Sequence, residues 1–165
     1  MMVKNTCIDE STGEISLTGG VKIGPSLSKE QLLSSPLGEK AEPWGVHDPF
    51  YHCRIIAATS DGTPFVFILS FGEGKLYEVS LTYDSAEFGS SWEDWSEERE
   101  RNRKAKHDEW LQKIGIDFQT YIWGKVDSLF DEQIGASSIV VTYSAHANRY
   151  SAARPHVARK EDAPF

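Results

Sequence analysis

FYHCRIIAATSDGTPFVFILSFGEGKLYEVSLTY, residues Phe50 to Tyr83, is three apolar runs parted by two glycine-bearing turns. Phe50 to Thr59, Thr63 to Phe71 and Lys75 to Tyr83 have strand length and are rich in aromatic and β-branched residues, and Ser60-Asp61-Gly62 and Gly72-Glu73-Gly74 carry turn chemistry between them. The spacing predicts an antiparallel meander. In the middle run Phe65, Phe67, Leu69 and Phe71 point one way and Val66 and Ile68 the other, so a strand apolar on both faces is expected inside the sheet. In the third run Tyr77, Val79 and Leu81 alternate with Glu78, Ser80 and Thr82, which predicts one core-facing and one solvated side.

Upstream, Glu14 to Thr18 and Val21 to Gly24 flank Gly19-Gly20 and read as a short hairpin, since paired glycines supply the positive φ such turns need. Ser28 with Gln31 three residues on has the capping-box pattern, and it heads a short helix carrying Leu32 and Leu33 that Pro36 and Gly38 end. Downstream, Ser91 with Asp94 predicts the start of a long helix from Trp92 to Lys113, stopped by Gly115. Its early acids Glu93, Asp94, Glu97 and Glu98 and later Lys104, Lys106 and Lys113 suit the helix dipole, and Glu97 with Arg101 and Glu100 with Lys104 form i,i+4 pairs. Trp92, Trp95, Trp110 and Ile114 fall on one side at helical spacing. Between these anchors Ala105 is the lone apolar residue, so the middle of the helix is expected to bury little. Tyr121 to Leu129 and Ser137 to Tyr143 read as a closing hairpin, and Ala145 to Phe165 as a flexible tail after a single domain over 1–144. The class is α+β: an antiparallel sheet of about five strands, a three-strand meander plus a C-terminal hairpin, with one long and one short helix.

At 165 residues the chain can bury roughly 70% of its unfolded surface, so it needs no disulfide or metal to fold. Hydrophobic residues at 39% and aromatics at 12% supply that core. Cys7 and Cys53 are too far apart in sequence for a zinc or redox motif and read as free thiols. No stretch approaches the ~18 apolar residues of a membrane span, and Met1 to Ser11 lacks the apolar run of a secretory signal. A cytoplasmic location without membrane insertion is expected. A formal charge of −8 argues against general nucleic-acid binding, which needs a basic surface, and suits either simple solubility or a basic protein partner.

Asp84 to Glu100 concentrates seven carboxylates among aromatic residues. Acids in sequence along one helix are usually a solvated face, but Asp84, Glu87, Trp92, Glu93, Asp94, Trp95, Glu97 and Glu98 also have the make-up of an interface, aromatic anchors within a charged rim. No EF-hand, Walker-type, GxSxG, GxGxxG, HExxH or CxxC pattern occurs, so neither a catalytic residue, a metal ligand nor a cofactor is assigned. Gly72-Glu73-Gly74-Lys75 is followed by Leu76 and reads as a hairpin turn, not a phosphate loop. On one continuous strand His47 and His52 would face opposite ways, as would His52 and Cys53, which makes them poor joint ligands.

Trp123-Gly124-Lys125-Val126-Asp127-Ser128, then Asp131 and Ser138-Ile139-Val140-Val141-Thr142-Tyr143, with Ser91-Trp92-Glu93-Asp94-Trp95 upstream, resemble small bacterial cytoplasmic proteins of the toxin-immunity type. The resemblance covers roughly the second half of the chain, rests on structural motifs, and transfers no functional residue. It implies a non-catalytic protein that binds a basic toxin, here through the acidic aromatic segment. Two other readings stand beside it: a small-molecule binder or enzyme with a pocket between sheet and long helix lined by Tyr77, Tyr121, Trp123 and His107, and a housekeeping interaction module. The oligomeric state is not readable from the sequence.

Overall fold

A computed structural model describes residues 7–89, 91–117 and 120–150, with side chains to residue 147. Its strands are β1 (Ile15–Ser16), β2 (Lys22–Ile23), β3 (Glu42–His47), β4 (Phe50–Ala58), β5 (Pro64–Gly72), β6 (Lys75–Tyr83), β7 (Thr120–Tyr121), β8 (Gly124–Asp131) and β9 (Ala136–Tyr143), and its helices are α1 (Lys29–Leu33), α2 (Glu97–Ile114) and α3 (Ser144–Tyr150). β1 and β2 form a separate ribbon. The other seven strands make one antiparallel sheet in the order β3-β4-β5-β6-β9-β8-β7.

The meander forms as its turn residues dictate. Gly72 pairs with Lys75 across a two-residue turn in which Glu73 and Gly74 both have positive φ, the geometry that matches strand twist. Ser28 and Gln31 complete both halves of the capping box on α1. The sheet, however, has seven strands and not about five. Pro43 and Gly45 argue against a strand in sequence, yet β3 is an edge strand with a bulge between Pro43 and Gly45, where a missing donor costs nothing. The other edge, β7, is two residues long. A chain reversal after His47 pairs it with Phe50 and pairs Gly45 with His52, so the two histidines share a face instead of opposing one another.

One face of the sheet is the core. Tyr51, Cys53 and Ile55 of β4, Phe65 to Phe71 in alternation on β5, Val79 and Leu81 of β6, and Ile139, Val141 and Tyr143 of β9 are buried there together with Ile15 and Ile23 of the ribbon, Leu32 of α1 and Trp110, Leu111 and Ile114 of α2. β6 departs from simple alternation. A bulge opposite Ser70 and Phe71 pairs Leu76 with Phe71, so Leu76 turns to the core while Tyr77 meets the ring of Phe50 on the second face. On that second face Glu78 and Thr82 are buried and Ser80 is half-buried, whereas the alternation predicts all three in water.

The region ahead of α2 differs from expectation too. Ser91 and Asp94 form their reciprocal cap on a single 3-10 turn, Trp92–Asp94, and Ser96 is the residue that caps α2, its Oγ accepting from the N–H of Arg99 at 3.1 Å. Trp92 and Trp95 therefore precede the helix. Gly115 ends it in the left-handed region, as its sequence position predicts. The middle of α2 is not a polar span over a gap: Glu100, Arg103 and His107 continue the inner stripe of Trp110, Leu111 and Ile114 and are all buried. α3 occupies the first residues of the segment read as a tail; the remainder of that reading, 151–165, lies outside the described residues.

His107 receives the backbone N–H of Tyr83 on Nε2 at 2.9 Å, which ties the end of β6 to α2. The acceptor role requires a neutral ring with its proton on Nδ1, an atom buried without a hydrogen-bond partner. Burial, reinforced by the Arg103 guanidinium, holds its pKa near 3, against 6.5 in an unfolded chain. Between those values the unfolded chain carries the extra proton. The contribution of His107 is therefore complete above pH 6.5 and is lost as pH falls toward 3, at up to about 1.4 kcal/mol per pH unit. Urea denaturation between pH 7 and 4 should show this loss, and His107→Gln should reduce the slope by about one proton.

Candidate functional site: an acidic ledge built on buried charge

Asp84 to Ser96 leaves β6 and returns to α2 by two 3-10 turns, Ala86–Phe88 and Trp92–Asp94. Each is held from beneath. Ser85 Oγ caps the first by accepting from Glu87 N–H at 3.3 Å, and Phe88 is buried against Tyr83, ring centroids 5.8 Å apart. In the second, Asp94 Oδ1 accepts from the N–H of Ser91 at 2.9 Å, and the Trp95 indole donates to the carbonyl of Gly135 at 2.6 Å. Gly135, in the β8–β9 turn, sits at φ +66° with the Trp95 ring over it, so a side chain there would meet both backbone strain and the indole.

Arg103 is the hub of this arrangement. Its guanidinium donates to the Gly89 carbonyl between the two turns and to Glu100 Oε2, while Glu100 Oε1 accepts from Ser137 N–H at 3.0 Å at the start of β9. Burial disfavours the charged form of each partner, lowering the Arg103 pKa and raising that of Glu100; their mutual contact and the nearby carboxylates of Asp84 and Asp94 oppose that cost. One cation thus connects the ledge, the helix and the closing hairpin.

The eight residues singled out in the sequence divide by what they do. Trp95 and Asp94 are structural: Trp95 is spent on Gly135, and Asp94 serves the Ser91 cap and also meets Arg99 at 3.8 Å. Glu97 pairs with Arg101 at 3.5 Å. Asp84, Glu87, Glu93 and Glu98 are exposed, and Trp92 is half-buried, its ring 6.3 Å from that of Trp95. The arrangement presents fixed negative charge with one partly open indole.

The residues of the pocket reading are not brought together. His107 is sealed in the core, Tyr77 lies on the second face, and Tyr121 and Trp123 stack on each other at 5.0 Å, with the Trp123 indole bonded to the carbonyl of Glu10. A polar pair that sequence spacing does not reveal joins β4 to β5 on the second face, where His52 Nδ1 lies 2.8 Å from Ser70 Oγ. Both are almost completely buried, and Ser70 pairs in register with Glu78. Cys53 faces the core instead, where burial pushes its thiol up to about 12, far from a reactive thiolate. Among the described residues no group of three or more His, Cys, Asp and Glu could hold a metal ion, and no helix is long and apolar enough to cross a membrane.

Removing the hub should show how much the ledge depends on it. Arg103→Met leaves Glu100 charged and buried and should cost about 3–5 kcal/mol in urea denaturation, whereas Arg103→Lys, which keeps the charge and loses the fork, should cost less. Compared with known proteins, the chain matches no family model, no curated protein and no solved structure.

Proposed function

We propose that this chain is a non-catalytic protein-binding protein, of the kind that neutralises a basic toxin, and that its acidic aromatic ledge is the contact surface. The observation that carries the reading is the division of labour in the ledge: Arg103, Trp95, Phe88 and Asp94 hold the backbone, and Asp84, Glu87, Glu93 and Glu98 remain exposed on it. Charge fixed in advance on a rigid base steers a basic partner and loses little entropy on binding. Trp92 supplies the apolar contact that a purely charged rim lacks. The formal charge of the whole chain, −8, favours the same sign of partner at long range.

The test is affinity capture from the native cytoplasm with tagged protein at low and at high salt. A stoichiometric basic protein should co-purify at low salt and weaken at high salt, because exposed charges are screened. The variant carrying Asp84→Asn, Glu87→Gln, Glu93→Gln, Glu98→Gln and Trp92→Ala leaves Arg103, Asp94 and Trp95 in place, so it should keep its fold by circular dichroism and lose the partner by ~100-fold or more. Unchanged capture by a folded variant would sink the proposal.

A further inference from the structure

The two outer edges of the large sheet differ. On one, β3 carries Pro43 and a bulge, two of the devices by which edge strands avoid further pairing. On the other, β7 covers only the start of β8. It pairs Thr120 with Lys125 and Tyr121 with Gly124, and among the described residues no strand lies beside Val126 to Asp131. β8 itself is regular, without proline and with an unbroken register to β9 from Gly124 to Asp131. Gly124 and Tyr121 close a two-residue turn and so exchange backbone hydrogen bonds, which directs the N–H and C=O groups of Gly124 away from β9. Alternation sends those of Val126, Ser128 and Phe130 the same way and those of the residues between them toward β9. Leu129 is 47% exposed on this edge. Ser128 and Phe130 are half-buried, although Ser128 pairs with the core residue Ile139 and lies on the side of the sheet that α2 covers.

We propose that an extended basic segment of the partner adds a strand to this edge, antiparallel to β8, so that the contact surface runs from the ledge onto the sheet. The basic character of the partner rests on the reading of the ledge given above; the unpaired edge does not. In such an addition main-chain hydrogen bonds to Val126, Ser128 and Phe130 supply affinity, and alternate side chains supply specificity. Asp127, Leu129 and Asp131 follow one another at every second position and share the face away from α2. Lys125 lies 3.5 Å from Asp127 and offsets its charge. The far end is acidic. There Asp131 and Glu132 enter the β8–β9 turn, and Arg101 is the shared counter-charge of Glu132 at 3.9 Å and Glu97 at 3.5 Å, its guanidinium 4.5 Å from the centre of the Phe130 ring. The same turn holds Gly135, whose carbonyl accepts from Trp95 of the ledge, so edge and ledge meet at this point. A strand with an apolar residue opposite Leu129 and a cation opposite Asp131 fits this pattern, and an acidic strand does not.

Amide hydrogen exchange of the full chain, read by NMR, tests this residue by residue. Without a ligand the amides of Val126, Ser128 and Phe130 should exchange quickly and those of Lys125, Asp127 and Leu129 slowly. The probe is the capped peptide Thr-Lys-Thr-Val-Thr-Lys-Thr, which sets valine against Leu129 and lysine against Asp131. At ~1 mM it should slow the three outward amides ~2-fold or more, the effect of half-occupying a weak site. The same peptide with glutamate for both lysines should bind ~10-fold more weakly. Ser128→Pro removes an outward donor and leaves the ladder to β9 intact, so it should keep the circular dichroism spectrum and abolish the slowing at Val126 and Phe130. Leu129→Lys, at an exposed position and without a backbone change, should weaken the lysine peptide ~10-fold. Outward amides that the lysine peptide leaves unchanged, or that both peptides slow equally, overturn the proposal. So does slow exchange without peptide, with a second copy on the edge if sedimentation velocity shows a dimer and another segment of this chain if it shows a monomer. Peptide-induced shifts confined to Glu87, Trp92 and Glu93, and lost in the five-fold ledge variant, overturn strand addition and leave the ledge reading standing. Slowing at the edge that persists in that variant, with no basic protein captured, supports the edge and sinks the ledge reading alone.

Discussion

The pairing of β6 with β9 is the seam on which this fold depends. Everything from β3 to β6 is built from neighbours in sequence, as is everything from β7 to β9, but the two halves become one sheet through the register that sets Glu78 to Leu81 against Ile139 to Thr142. A seam between segments this distant in sequence carries a loop-closure cost that local hairpins avoid. α2 spans that gap in the chain, and its inner face carries the contacts that hold the seam closed: His107 to the end of β6, Glu100 to the start of β9, and Trp110 to Asp61 in the β4–β5 turn at 2.9 Å.

The choice of polar side chains for these contacts has a physical reason. The ends of β6 and β9 present backbone groups that have run out of strand partners, and an apolar helix face would bury them unpaired. Glu100 takes the N–H of Ser137 and His107 takes that of Tyr83, each a side-chain acceptor aimed at an orphaned donor. A buried carboxylate then needs a counter-charge. Arg103, one turn along, supplies it, and the second terminal nitrogen of its guanidinium donates to the Gly89 carbonyl and fixes the strand-to-helix connection. The acidic ledge is in this sense a by-product of closing the sheet, and the rigidity proposed for its function comes from the same guanidinium.

The two faces of the sheet offer different chemistry. The core face is sealed by one continuous apolar cluster in which Tyr143 reaches the carbonyl of Gly13 and Trp110 packs edge-on against Phe65. The second face buries His52, Ser70 and Glu78 in one row and Val66 and Thr82 in another, and exposes large apolar side chains at Ile56 and Leu129 on its outer strands. Ledge and second face are separate surfaces, one carried by the connection into α2 and the other by five strands of the sheet.

By itself the sequence determined whatever rests on local pattern. The strands of the meander follow from alternation and turn glycines, the cap of α1 from Ser28 and Gln31, and the end of α2 from Gly115, since each is set by neighbours within a few residues. The composition of the ledge was equally plain in the run of acids from Asp84 to Glu100, and its Ser91–Asp94 cap is real. Only the tertiary structure decided what those groups do. Reading α2 by apolar spacing alone hides Glu100, Arg103 and His107, although they stand three, four and three residues apart in line with Trp110, because a charged side chain becomes part of a core only when a distant segment supplies its partner. The bulge that turns Tyr77 away from Val79, the edge placement that lets Pro43 lie in a strand, and the proximity of His52 to Ser70 have the same origin, for each is fixed by pairing between strands and not by anything within one.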